Sequence, residues 1–147
     1  MVVLDTDVLT LVQRQHGERY ARLAARLETS GQEVHVTIVS FEEQMRGWLA
    51  ACAKARTPEQ YSTQAGRLQE LLTDFGNWAV LAFDSRAATE FGRLKAAKIR
   101  GSTMDLRIAS IVLAHDATLI TMNLRDYEHV PGLKVEDWTK ESPNAKS

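Results

Sequence analysis

The chain has 147 residues, 44% of them hydrophobic, the length and apolar content of one domain with a sizeable core. Eighteen basic against nineteen acidic side chains leave a formal net charge of -1, so any contact with a polyanion must come from a local patch. The single cysteine, Cys52, excludes intramolecular disulfides and Cys-based zinc motifs; with no apolar run near 18 residues and no basic-then-apolar start, a cytoplasmic protein without membrane attachment is expected.

The first element lies in "VVLDTDVL" (2–9), where Val2-Val3-Leu4 is a short continuous apolar run of the kind that forms a strand buried on both faces. Asp5 and Asp7 then stand at its C-terminal exit, the edge where ligands bind in open α/β sheets. "YARLAARLE" (20–28) has helical apolar spacing, and "VHVTIV" (34–39) predicts a second strand. Ser40, Glu42 and Glu43 follow it, at the head of a helix through "FEEQMRGWLAACAKA" (41–55) in which Cys52 reads as a small buried hydrophobe. Pro58 marks a helix start, and helical spacing continues in "QAGRLQELLTDF" (64–75). "WAVLAF" (78–83) predicts a third strand, and "AATEFGRLKAAKI" (87–99) a helix ending in the basic run Arg93, Lys95, Lys98 and Arg100. After the break "IRGST", Asp105 opens the helix "LRIASIVLAH" (106–115), which His115-Asp116 ends. "TLIT" (118–121) is the fourth strand, with Asn123 and Asp126 beyond it, and "LKV" (133–135) a weaker fifth. The polar tail 139–147 is expected to be disordered, leaving a domain of residues 1–138. Strands alternating with helices imply an α/β fold with a parallel, doubly wound sheet of four to five strands.

Acids therefore follow three strands: Asp5, then Glu42 and Glu43, then Asp126 with Asn123. Asp105 precedes a strand instead, but the N-terminus of its helix can face the same edge. Each downstream acid also fits a helix-start pattern, in Ser40-x-x-Glu43, Ser102-x-x-Asp105 and the variant Asn123-x-x-Asp126. Taken together, carboxylates delivered to one edge repel by an amount of order kcal/mol per pair and call for a compensating cation. All-oxygen donors favour Mg²⁺ or Mn²⁺. The run Arg93, Lys95, Lys98 and Arg100, close in sequence to Asp105, is the candidate for phosphate-backbone contacts. The four histidines show no arrangement with Ser, Cys or Asp that would make a nucleophilic triad.

In this order and spacing, "VVLDTDVL", "TIVSFEEQMRG" and "MDLRIASIVLAHDATLITMNLRDYEHVPGLKVEDW" resemble the PIN-domain ribonucleases, in particular the VapC-type toxins of bacterial toxin–antitoxin modules. The pieces match an opening Leu-Asp-Thr strand, a Ser/Thr-x-x-Glu with a glycine (Gly47) four residues on, an Asp-x-x-Ile-Ala helix, a Thr-x-Asn-x-x-Asp-Phe turn and a closing Gly-Leu-x-x-Glu-Asp-Trp strand. Carried over, the resemblance implies a three-layer PIN-like fold and a metal site of Asp5, Glu43, Asp105 and the Asn123/Asp126 pair, with Asp5, Glu43, Asp105 and Asp126 catalytic and Thr6 beside the substrate. It further implies Mg²⁺-dependent cutting of RNA (with Mn²⁺ as a substitute), a homodimer, and a cognate antitoxin that covers the site. Two positions depart from the family's pattern: Asp7 stands where asparagine or serine is usual, and Tyr127 replaces a phenylalanine while keeping the ring. Asp5-Thr6-Asp7 also resembles the Asp-x-Asp motif of haloacid-dehalogenase-like phosphatases, and a non-catalytic PIN-like RNA-binding module is the other alternative.

Overall fold

A computed structural model describes residues 1–141 and contains five strands and six α-helices. The strands are β1 (Val2–Leu4), β2 (Val34–Thr37), β3 (Val80–Leu81), β4 (Thr118–Ile120) and β5 (Lys134–Glu136). The helices are α1 (Thr6–Arg14), α2 (Glu18–Ser30), α3 (Ile38–Lys54), α4 (Pro58–Gly76), α5 (Ser85–Ala96) and α6 (Thr103–Ala114), with a 3-10 turn at Leu124–Asp126. All strand pairs are parallel and the order is β3-β2-β1-β4-β5. The chain winds outward from β1 first to one side and then to the other, so the topological switch point lies at the C-terminal ends of β1 and β4, where such sheets bind ligands.

Strand periodicity divides the core. Val3 and Leu119 pack on one face with Leu94 of α5 and with Leu106, Ile108, Ile111 and Val112 of α6. Val2, Leu4, Val36 and Ile120 pack on the other with Val8 and Leu9 of α1, Leu23 of α2, and Leu71 and Phe75 of α4. Val2 to Leu4 are fully buried, as a continuous apolar run in a doubly covered sheet should be. Among the described residues no helix is long and apolar enough to cross a membrane.

The observed elements depart from the sequence reading chiefly where strand passes to helix. The region 6–14, not read as a helix, begins one immediately after β1, because Asp5 caps it by accepting from the Val8 amide. β2 stops at Thr37 and not at 39, since the Thr37 side chain caps α3 by accepting from the Ser40 amide at 3.2 Å. Ser40 is thus inside the helix, and the expected Ser40-x-x-Glu43 capping box does not form. The third strand is two residues long, not six: the Trp78 amide still bonds to the Phe75 carbonyl after α4, and Asp84 already caps α5. Cys52, expected buried, is only partly covered. At the C-terminal side Thr139 is buried, with its amide and hydroxyl on Asp137 and its carbonyl accepting from Arg22 of α2 at 2.6 Å. The rest of the tail read as disordered, residues 142–147, lies outside the described residues.

Candidate active site

Asp5 sits where β1 becomes α1, the residue only 4% exposed. Oδ1 accepts from the Val8 amide at 2.9 Å, and Oδ2 accepts from the Thr121 hydroxyl at 2.5 Å across the switch point. Burial raises its pKa from the ordinary 3.8 to about 6; the two hydrogen bonds oppose the rise, and the charges of Asp7 and Asp105 add to it.

Glu43 comes from the second turn of α3. Its Oε1 accepts from the Thr6 hydroxyl at 2.7 Å. Thr6 has one hydroxyl proton and gives it to Glu43, so Ser40, whose Oγ lies 2.9 Å from that of Thr6, donates to Thr6 in turn. Partial burial raises the Glu43 pKa, the Thr6 bond opposes this, and Asp105, Asp7 and Glu42 add repulsion. The neighbouring Glu42 turns aside to pair with Arg46 at 2.7 Å, as expected of adjacent residues about 100° apart around a helix.

Asp105 is in the first turn of α6. Its amide donates to Ser102 Oγ at 3.1 Å, which bears out that cap, and its Oδ1 accepts from the Tyr127 hydroxyl at 3.0 Å. Tyr127 is 3% exposed, and burial first, then the charges of Asp105, Asp5 and Glu43, push its hydroxyl far above the ordinary 10. It therefore stays a donor at any ordinary pH.

Asp5, Glu43 and Asp105 thus act on common surroundings, together with Asp7. None of these four carboxylates has a basic partner among the described residues. No trio of carboxylate, imidazole or thiol groups stands ready-made to hold an ion among those residues either. Each of the three central carboxylates is instead held by a hydroxyl, from Thr121, Thr6 or Tyr127.

The structure separates Asn123 from Asp126. Asn123 reaches the cluster, since its Nδ2 donates to Asp7 Oδ2 at 3.1 Å and its amide donates to Thr121 Oγ1 at 3.0 Å. Asp126 is exposed on the 3-10 turn; it lines a hollow together with Asn123, Arg125, Glu128 and Lys140, but its side chain has no hydrogen bond to the cluster among the described residues. The basic run also lies outside the cluster's hydrogen bonds. Arg93 pairs with Glu90, Lys95 lies over the Phe91 ring, the Arg100 carbonyl meets His129, and Lys98 takes a left-handed turn at φ 56°. Closer to the acids, Arg19, Arg22 and Lys140 line a hollow of about 500 Å³ together with Asp7, Asn123 and Asp137, with Lys140 3.9 Å from Asp137 and Arg22 3.6 Å from Glu18. Sequence reasoning missed these cations, and it left Thr121, the threonine that opens the Thr-x-Asn-x-x-Asp turn, without a role. A phosphatase-like site would want an acidic pair directly after that strand, and Thr121 and Met122 stand there.

Known proteins share the sequence pattern and the fold. The family model described as "PIN domain" matches residues 2–133. The tRNA(fMet)-specific endonuclease VapC of Salmonella typhimurium is 35% identical over 63 residues, a stretch covering 40% of this chain and 48% of that protein. Ribonuclease VapC2 of Rickettsia felis is 24% identical over 143 residues, covering 94% of this chain and 98% of that protein. Among solved structures, VapBC-1 from nontypeable Haemophilus influenzae superposes with a TM-score of 0.70 at 23% identity, over 95% of this chain and 100% of that one, and so shares the fold. With the matched region running from β1 nearly to β5 and taking in every acid of the cluster, the chain belongs to the PIN-domain family.

Proposed function

We propose that this chain is the ribonuclease toxin of a VapBC-type toxin–antitoxin pair, an Mg²⁺-dependent endoribonuclease for which Mn²⁺ can substitute. The observation that carries the reading is the gathering of Asp5, Glu43 and Asp105 at the switch point of a PIN-domain sheet, without a basic side chain to balance them. An all-oxygen set of uncompensated carboxylates fits a hard divalent cation. Asp5, Glu43 and Asp105 would hold it, with Asn123 and Asp7 at its flank and Asp126 further out. Such an ion, when bound, lowers the pKa of a water and steadies charge on phosphate oxygens.

The chain's own residues do the rest. Thr121, Thr6 and Tyr127 fix the three carboxylates, so little rearrangement is needed when a cation and a phosphodiester arrive. The hollow lined by Arg19, Arg22 and Lys140 offers cationic neighbours for the RNA backbone, and the basic run from Arg93 to Arg100 offers a second track beyond Asp105. The active form is a homodimer in the cytoplasm, held silent by a cognate antitoxin laid over the acids.

The test is cleavage of a labelled RNA by the purified chain. Excess EDTA should abolish cutting, and Mg²⁺ or Mn²⁺ should restore it, with shortened RNA and no free phosphate as product. Undiminished cutting in EDTA would overturn the metal reading, and release of inorganic phosphate from a small phosphoester would point to the phosphatase alternative.

A further inference from the structure

We propose that the Tyr127 hydroxyl, which the phenylalanine usual at this position would lack, is a positioning group for Asp105 that sets how tightly the acid cluster takes a divalent cation. The inference rests on the function proposed above. In the turn that this segment resembles, the position carries phenylalanine, and from sequence alone the change to tyrosine only keeps the ring. The structure gives the extra oxygen a task. Its ring is buried in the core beside Val130 and Leu106, and a phenol in such surroundings needs a partner for its proton. The partner it takes is Asp105 Oδ1 at 3.0 Å.

Asp105 is thereby fixed twice. Ser102 holds its amide as the cap of α6, and Tyr127 holds one carboxylate oxygen, while Oδ2 has no hydrogen-bond partner among the described residues. That leaves one oxygen oriented and open for a cation. The parallel with the other two acids strengthens the assignment, since Asp5 keeps one hydroxyl donor in Thr121 and Glu43 one in Thr6. A phenylalanine at 127 would leave Asp105 as the one acid of the three without such a donor. Groups that orient metal-binding side chains typically change affinity about 10-fold to 100-fold when removed.

The experiment compares wild type, Tyr127→Phe, Asp105→Asn and the double variant. Mn²⁺ binding is measured without RNA, from the spectroscopic signal of the free ion, and melting curves are recorded in EDTA. Tyr127→Phe should raise the Mn²⁺ dissociation constant about 10-fold or more. The Mn²⁺ concentration for half-maximal RNA cleavage should rise by the same factor. With Asp105→Asn already in place, removing the hydroxyl should change Mn²⁺ affinity less than about 3-fold, because the carboxylate oxygen left open for the cation has become an amide nitrogen. Unaltered Mn²⁺ affinity in a folded Tyr127→Phe protein would overturn the proposal, as would an equal loss in the Asp105→Asn background. A Tyr127→Phe chain that fails to fold would overturn it too, assigning the hydroxyl to the core alone. If wild type takes up no Mn²⁺, the functional reading falls as well; if wild type binds and Tyr127→Phe binds equally, only the positioning role falls.

Discussion

Asp5 is caught between two opposed demands. Water is withdrawn from it, which favours the protonated acid, while the Val8 amide and the Thr121 hydroxyl favour the charged one; desolvation prevails and the pKa settles at about 6. A rise from 3.8 to about 6 sets on the order of 3 kcal/mol against the ionised form in the absence of a cation. The folded chain keeps this proton up to about pH 6, whereas an unfolded chain gives it up near 3.8, so between those values the folded state binds more protons. Stability then falls as pH rises through that window and is regained on acidification. Glu43, raised for the same reason, adds in the same direction. In EDTA the melting temperature should therefore be higher at pH 5.5 than at pH 7.5, by roughly 1 kcal/mol or 2–4 °C from Asp5. Saturating Mn²⁺ should shrink or reverse the difference, since it favours the ionised acids, and Asp5→Asn should flatten the Asp5 part of it. A melting temperature that declines steadily from pH 7.5 to 5.5 in EDTA would show that Asp5 is already ionised in the folded protein.

At the scale of elements, the site is built from two junctions without loops. β1 passes to α1 through Asp5 and β2 passes to α3 through Thr37, each residue extended in backbone and capping the helix with its side chain. The consequence for α3 is testable. Thr37→Val keeps the shape and removes the cap oxygen, and should cost about 1 kcal/mol, or some 2–4 °C in melting temperature. Ser40→Ala removes only the donor to Thr6, which still holds Glu43, and should cost less. A larger loss for Ser40→Ala would return the cap to Ser40 and shift the start of α3 by three residues. The same junctions explain what could be read from sequence. Apolar runs located all five strands, because burial on both faces leaves a continuous signal, and their alternation with helices implied the parallel sheet but not its strand order. The strand ends were not legible, because a cap residue is itself extended and "VHVTIV" continues apolar into the first turn of α3. Asp5 could be singled out because it ends a clear apolar strand, and Asp105 because it opens a clearly periodic helix, whereas the choice of Glu43 over Glu42 came from the family resemblance. Asn123 and Asp126 could not be separated, as a three-residue 3-10 turn carries no period, and the ties from Thr121 to Asp5 and from Tyr127 to Asp105 span 116 and 22 residues.

At the scale of the whole molecule, a net charge of -1 conceals a segregated surface. Asp5, Asp7, Glu43 and Asp105 crowd one sheet edge, while Arg19, Arg22 and Lys140 stand beside it and the run from Arg93 to Arg100 beyond it. On the function proposed above, RNA would reach the acids over these cations, and such a ribonuclease would be a hazard to the cell that makes it. An inhibitor that covered the acids would be expected to carry a basic segment as their complement, in an association that is fast at low salt and slows as salt rises. Expression of this chain alone should therefore arrest growth, and co-expression of its antitoxin should relieve the arrest. Asp105→Asn supplies the control, because it removes one charge of the cluster and should permit growth at the same level of soluble protein. Equal growth with wild type and Asp105→Asn, at matched soluble levels, would remove the toxin role. It would leave the proposed nuclease chemistry standing, since cleavage of RNA by the purified chain, with and without EDTA, tests that separately.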